Sequence, residues 1–468
     1  MNFFTDKTMR LKTDLHAMLH DRAYWSVLFA IGIPVALQNL FSSGLNLIDS
    51  VMVGRLGDSS IAAVVIANTV FFLMILFMFC IASGIAIFIA QYWGKRDDEG
   101  VRMTMAIGVA SAFFVAVLFM IASLLIPRQI MGIFTKDNTV ITLGADFLRI
   151  VSLSYPLTAI SNVFYCGLRS VKIAKLPLQV SAVSIVVNTV LNALLIYGLA
   201  GFPRLGVRGS ALATVIARTL EMVLILFFVY RKKYPVAFRF SDFLMIRFAF
   251  FKEIARVTIP VMLNEGLWAM GISMYIVVFG KMGTSYIAGY NIMQVIDRIA
   301  NAFVFGIASA SAALVGHKIG EGNPKLAYTY AARNNLLGTF LGAGIGVVLF
   351  AASRDIAGLF NVSGQAREAS ILFIRMLAFI IPFKSFNCEN FLGALRAGGD
   401  TKFAFFLEII PLWLIAVPLT MMAGWYWMWS LPFVYLLTAT DEIIKAVFGF
   451  RRFVSKKWIN EMRSSREL

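Results

Sequence analysis

The chain carries little with which to run covalent chemistry. Its 468 residues hold only three histidines and three cysteines. His16 and His20 precede the first long apolar run, and His317 stands at a predicted helix end, so no histidine and acid are placed together for general-base work. Cys80, Cys166 and Cys388 all fall inside apolar runs. An odd count at such positions builds no disulfide framework and has no metal-ligand spacing; these residues read as small buried side chains. A glycine-rich phosphate loop is also missing, so any uphill work must draw on an ion gradient. The start shows no cleavable signal. Residues 5–22 are polar and mixed in charge, which predicts a short interfacial helix. The expectation is a protein that is not an enzyme and has no cofactor beyond a coupling ion.

Acidic residues are scarce as well: 25 Asp and Glu stand against 42 Lys and Arg, a net charge of +17. Apolar residues take up 59% of the chain and the mean hydropathy is +0.80, more than one soluble core requires. Runs of about 20 mostly apolar residues, the length that crosses the hydrocarbon, recur throughout. They fall at 24–53, 61–90, 103–126, 143–168, 178–199 and 207–230, and again at 254–280, 287–315, 327–351, 369–395, 403–423 and 427–450. The predicted fold is an all-α polytopic membrane protein with twelve transmembrane helices in two lobes of six. Its divisions are an N-terminal segment 1–23, a first lobe 24–230, an interfacial linker 231–253, a second lobe 254–451 and a tail 452–468.

The two lobes are copies. A shift of 226 positions puts Ile33-Pro34-Val35 on Ile259-Pro260-Val261, Gly54 on Gly280, Gly57 on Gly283 and Gly94 on Gly320. Arg128-x-Ile130-x-Gly132-x-Phe134 falls on Arg354-x-Ile356-x-Gly358-x-Phe360, and Pro156 on Pro382. One inserted residue later, Leu168-Arg169 matches Leu395-Arg396. Six spans per repeat return each copy to its starting side, so the repeats are parallel and related by an axis along the membrane normal.

Lys and Arg crowd one set of loops: Lys95, Arg96, Arg102, Arg169, Lys172, Lys175, the linker, Lys318, Lys325, Arg396, Lys402 and the tail. That bias predicts both termini in the cytoplasm of a cell that keeps this protein in its plasma (inner) membrane. It also accounts for the basic character without nucleic acid, since the charge forms rims and not a patch. The linker alternates basic residues with Phe238, Phe240, Phe243, Phe248, Phe250 and Phe251, a pattern for lying along the interface.

Certain motifs carry a resemblance. They are Asn46-x-x-Asp49, Val53-Gly54-x-Leu56-Gly57, Ala90-Gln91-x-x-Gly94 and Gly316-His317-Lys318-Ile319-Gly320-Glu321. Gly206-Val207-x-Gly209-Ser210-Ala211 and Leu395-Arg396-Ala397-Gly398-Gly399-Asp400-Thr401 complete the set. In this order and on this duplicated frame the chain resembles the multidrug and toxic compound extrusion (MATE) transporters over essentially its whole length. The resemblance implies a V-shaped cavity between two lobes and export of small organic cations in exchange for Na⁺ or H⁺, by a monomer in the lipid bilayer.

Charges inside the spans are the candidate chemistry, because each is costly there unless paired or solvated. Asp49 lies one turn after Asn46 and resembles the family's first-span aspartate; a carboxylate in a partly dry cavity suits exchange of a cation for a substrate. Asn188 and Asn192 share a face and are read as its hydrogen-bond partners, or else as interhelical glue. Glu265 resembles the family's seventh-span glutamate. Glu389 falls one turn after Ser385, and Ser385 stands nearer the place of the family's tenth-span acid. Glu265 and Glu389 would hold Na⁺ if sodium is the ion, unless Lys384 pairs with either of them. Asp297 is the fourth candidate for coupling, against the alternative that it neutralises Arg298. Arg218 with Glu221, and Asp441 and Glu442 with Lys445, read as structural pairs. Arg149 and Arg375, register mates, read as caps for carbonyl groups. Candidate substrate contacts are Asn46, Asn188, Asn192, Trp268, Met270, Tyr275 (the register mate of Asp49) and Lys384. Met262, Trp268, Met270 and Met274 are expected around Glu265, where soft side chains suit bulky cations. Two rival readings stand beside the exporter: a flippase for lipid-linked oligosaccharides, which would need basic cavity residues, and a membrane-embedded enzyme.

Overall fold

The computed structural model describes residues 21–360 and 362–463; of residues 45–48, 50, 51 and 244 only the backbone is described. The predicted interfacial helix at 5–22 therefore lies outside the described residues, apart from its last two. Among the described residues every regular element is a helix.

Span one is Arg22–Gly54, span two Asp58–Lys95 and span three Asp98–Leu125. Span four runs through Asn138–Ser170, with a short 3-10 turn at Ser152–Ser154; span five is Lys175–Tyr197 and span six Val207–Arg231. The second set comprises span seven, Phe248–Met282; span eight, Thr284–Gly320; span nine, Pro324–Gly358; span ten, Gly364–Arg396; and span eleven, Thr401–Trp425. Among the described residues, these eleven are long and apolar enough to cross a bilayer. In the place predicted for span twelve stand two consecutive helices, Leu431–Thr438 and Thr440–Val454, which meet at Ala439.

The repeat is written into the helix ends. Asp97 caps span three by accepting from the Gly100 amide at 2.9 Å, and its mate Asn323 caps span nine by accepting from Leu326 at 3.1 Å. Asp137 caps span four, and its mate Ser363 caps span ten. Gly57 and Gly283 open spans two and eight at φ 108° and 151°, a backbone region that favours glycine. Pro34 and Pro260 sit inside spans one and seven.

Span ten departs from its copy at two places: it has no 3-10 turn opposite Ser152–Ser154, and its phase changes farther on. Tyr155–Ser170 is α-helical, whereas Glu389–Arg396 is a π-helix. The single residue inserted between Pro382 and Leu395 is absorbed there as an extra residue in the turn, the usual origin of such a bulge and a frequent mark of a functional segment.

Some boundaries differ from those predicted. Span seven begins at Phe248, inside the stretch assigned to the linker, because Phe250 is buried and stacks on Tyr92 at 6.1 Å. The rest of the linker does run along the surface, with Phe240 exposed, though Phe238 stacks on Phe164. The tail is not a free end. Trp458 is fully buried, and the Asn460 amide donates to Gly398 O at 3.0 Å.

The lobes meet at the end of the bundle that carries the linker and tail. Gly32 faces Gly306, Gly84 faces Thr258, and Ala90 faces Gly316. Gly94 closes on the His317 carbonyl and Gly320 on the Gln91 carbonyl. Gln91, fully buried in the first lobe, donates to Ala397 O at 3.0 Å and Asn460 O at 3.2 Å, and accepts from the Met462 amide at 2.9 Å. Lys95 pairs with Glu461 at 2.9 Å. Farther along, Gly44 of span one and Gly266 of span seven face open space.

Candidate coupling and substrate site

Each lobe holds a polar chamber among its helices. In the first, Asn192 Nδ2 donates to Asp49 Oδ1 at 2.6 Å and to Asn188 Oδ1 at 3.1 Å. Asn188 in turn donates to Thr214 at 3.4 Å. Spans one, five and six are thereby tied through one carboxyl. Asn188 and Asn192 are buried, and Asn192 Oδ1 lacks a hydrogen-bond partner among the described residues. Asp49 has no cation bonded to it among the described residues, because Arg218 is taken by Glu221 at 2.6 Å. Glu221 also accepts from Tyr165 at 2.7 Å and Ser184 at 3.3 Å, so that pair is fully occupied. The side chain of Asn46 lies outside the described residues.

The second chamber is richer in charge. Arg396 Nη2 lies 2.6 Å from Glu265 Oε1, with its guanidinium 4.3 Å over the Phe391 ring. Its other arm reaches Ser83 of span two at 3.4 Å, so this ion pair belongs to the closed junction between the lobes. Lys384 does not pair with Glu265 or Glu389. It is bidentate on Asp297, at 2.8 and 2.7 Å. Asp297 therefore neutralises a residue of span ten and not its neighbour Arg298. Lys445 bridges Asp441 at 2.9 Å and Glu442 at 3.0 Å, as the spacing suggested.

After these pairings two acids of this chamber have no cation bonded to them among the described residues. Glu389 is completely buried, and neither carboxyl oxygen has a hydrogen-bond partner there. It is packed so tightly that a Cβ on Gly338 of span nine would strike its side chain. Beside it runs a chain from the closed end: Tyr24 OH donates to Asn334 Oδ1 at 2.5 Å, and Asn334 donates to Ser311 at 2.9 Å. The other acid is Glu408 in span eleven, which accepts from Asn264 Nδ2 at 2.5 Å.

Of the soft side chains expected round Glu265, Met262 is half-buried. Trp268 and Met270 are exposed, at 38% and 58%, while Met274 packs against the second lobe's core. Tyr275 is 3% exposed within that core, among Val278, Phe279 and Tyr290, and cannot reach a substrate from there. The symmetric duty expected of Arg149 and Arg375 is not seen either. Arg149 is exposed, whereas Arg375 donates to the Ser353 hydroxyl at 3.0 Å and lies 5.4 Å over Phe350.

Three participants escaped the sequence: Arg396 as the partner of Glu265, Tyr24 as the head of a polar chain, and Asn264 with Glu408. Arg396 had a visible signal in its mate Arg169, which bonds Gln38 of span one just as Arg396 bonds span seven.

Comparison with known proteins agrees with this frame. The MatE family model matches residues 34–194 and again 260–422, two segments that start on the register mates Pro34 and Pro260. The chain belongs to the MatE family. Its relatives include the uncharacterized transporter YisQ of Bacillus subtilis, 25% identical over 93% of this chain and 95% of that one. The probable multidrug resistance protein NorM of Thermotoga maritima is 22% identical over 94% of each. Among solved structures, the outward-facing conformation of a multidrug resistance MATE family transporter of the MOP superfamily superposes with a TM-score of 0.83 at 20% identity, covering 92% of this chain and 96% of that one. A MATE structure in its bent conformation gives 0.83 at 20% identity, over 93% and 96%. This member of the MatE family is thus a multi-pass membrane transporter and not an enzyme.

Proposed function

We propose that this MATE protein is a secondary antiporter that exports small organic cations in exchange for H⁺ or Na⁺, by alternating access of the lobes at 24–230 and 254–451. The observation that carries the reading is that each lobe keeps a carboxyl inside the membrane with no cation bonded to it among the described residues: Asp49 in the first, Glu389 and Glu408 in the second. Such a group is held only if something mobile neutralises it during the cycle. A coupling ion and a cationic substrate competing for it give antiport, since the occupant that binds one conformation better draws the protein to that conformation.

The basic rims favour the cytoplasmic side for the closed end, and with it an opening toward the outside. A single chain is sufficient, because both chambers are completed within it, the second with Tyr24 and Ser83 from the first lobe. The charge pairings also favour export of cations over flipping of a lipid-linked sugar. Arg218, Lys384, Arg396 and Lys445 are each tied to a carboxylate, which leaves them unavailable to a pyrophosphate.

Purified protein in liposomes, loaded with ethidium under a pH or Na⁺ gradient, tests the reading. Gradient-driven ethidium movement that is lost in Asp49→Asn and in Glu389→Gln supports it. Transport unchanged in both variants ends it.

A further inference from the structure

We infer that Glu408, held by Asn264, is the proton-carrying carboxyl of the second lobe, and that Glu265 is a fixed element of the gate. This inference rests on the antiport reading and narrows its coupling ion, in this lobe, to a proton.

Two facts about Glu265 remove it from exchange. Its carboxylate is already neutralised by Arg396 at 2.6 Å, and that arginine is fastened by its second arm to Ser83 of the other lobe. Breaking a buried pair by emptying one side is costly, so a group bound in this way is a poor carrier. Glu408 is the opposite case. Its bonded neighbour among the described residues is the neutral amide of Asn264, one position before Glu265 in span seven.

Asn264 supplies the chemical detail. It is 1% exposed; its Nδ2 donates to Glu408 Oε2, yet its own Oδ1 has no partner among the described residues. Buried amide oxygens are rarely left so, and the cost of leaving one is about 1–3 kcal/mol. A carboxylate beside it offers only acceptors and cannot help. A protonated carboxyl can, because an acid and a primary amide form a cyclic pair: amide N–H to the carboxyl oxygen, and carboxyl O–H to the amide oxygen. The orphaned Oδ1 is therefore the acceptor that neutral Glu408 fills.

The charged groups turned toward Glu408 from the elements around it are Lys445, Glu265 and Arg396. Lys445 is held by Asp441 and Glu442, and Arg396 by Glu265. Each of the three is thus already paired with a group other than Glu408. The cycle balances simply: the Glu408 carboxylate takes one H⁺ from the outer solution, becomes neutral, and gives the same H⁺ up on the inner side.

Glu408→Gln is the informative variant, because a glutamine can make the same two hydrogen bonds with Asn264 and so holds the protonated shape without the proton. In liposomes, the variant is expected to lose transport driven by a pH gradient. Infrared difference spectra of the membranes on acidification are expected to show a protonated-carboxyl band that is absent in Glu408→Gln and shifted in Asn264→Leu. The spectra answer even if ethidium is not carried at all, so a failure of the export reading is distinguished from a failure here. Retention of pH-driven transport and of the full band in Glu408→Gln overturns the inference. A melting temperature in detergent that falls together with pH-driven transport also overturns it, since that shows a structural duty.

Discussion

Gln91 and His317 hold equivalent places in the two repeats, and each backbone carbonyl is the surface on which the other repeat's glycine closes: His317 against Gly94, Gln91 against Gly320. Spans two and eight thus cross through a pair of symmetric contacts that admit no side chain. Gly94→Leu or Gly320→Leu forces backbone apart at this point, and overpacking of this kind costs about 1–3 kcal/mol. The expected outcome is a folded protein that fails to seal its terminal end. A cysteine placed on the buried side of the junction should then react with a reagent from that end in the variant and not in the parent.

The side chain of Gln91 makes a second, separable contribution. It satisfies Ala397 O, Asn460 O and the Met462 amide at once. Gln91→Leu leaves these groups buried without a partner, at about 1–3 kcal/mol for each polar group stranded. Faster proteolysis after Trp458 and a lower melting temperature in detergent are expected. Equal protease resistance would mean that the tail is held by Trp458 alone.

Arg396 and Glu265 should behave as a unit. Removing one charge strands the other, and breaking a buried pair costs about 3–5 kcal/mol. Glu265→Gln and Arg396→Met are each expected to lower the melting temperature clearly, and the double variant to recover much of the loss. Additive losses in the double-mutant cycle would show that the two do not depend on each other.

Asp49→Asn is expected to leave stability nearly unchanged, because an asparagine still accepts from Asn192 Nδ2 and keeps spans one and five joined. Gradient-driven ethidium transport should nonetheless be lost. A melting temperature that falls together with transport would recast Asp49 as a structural anchor.

Gly338→Ala probes the packing around Glu389. The added methyl meets the Glu389 side chain, which has no space to yield. Span ten should shift at its π-turn, and the melting temperature should fall more than for Gly344→Ala, where the added methyl meets open space.

Much of this architecture could be read from the residues. The duplicated register, the prolines at 34 and 260 and the polar caps at 97 and 323 recur in the fold because backbone needs at helix ends are local. The Asp49, Asn188 and Asn192 constellation was also legible, since helical spacing alone puts the asparagines on one face. The second lobe resisted the same treatment. Nearness offers Lys384 as a partner for Glu389, and depth in the bilayer offers it to Glu265, but five residues is not a helical repeat and Glu265 is taken by Arg396. The true partner of Lys384, Asp297, comes from another span, a choice that only tertiary packing makes. Tyr275 was paired with Asp49 by register. Symmetric backbones do not oblige symmetric environments, and an aromatic ring in a helical core finds apolar neighbours. Arg149 and Arg375 give the same lesson from the outer rim.

The π-turn of span ten bears on how the two copies came to differ. A duplication begins with identical halves, and substitutions alone leave each residue on its original helical face. The one-residue difference between Pro382 and Leu395 is taken up within the turn from Glu389 to Arg396, so the positions beyond it stay in step with the first copy. Deleting one residue there should restore the α-helical phase of span four and leave Arg396 on span seven, as Arg169 stands on span one.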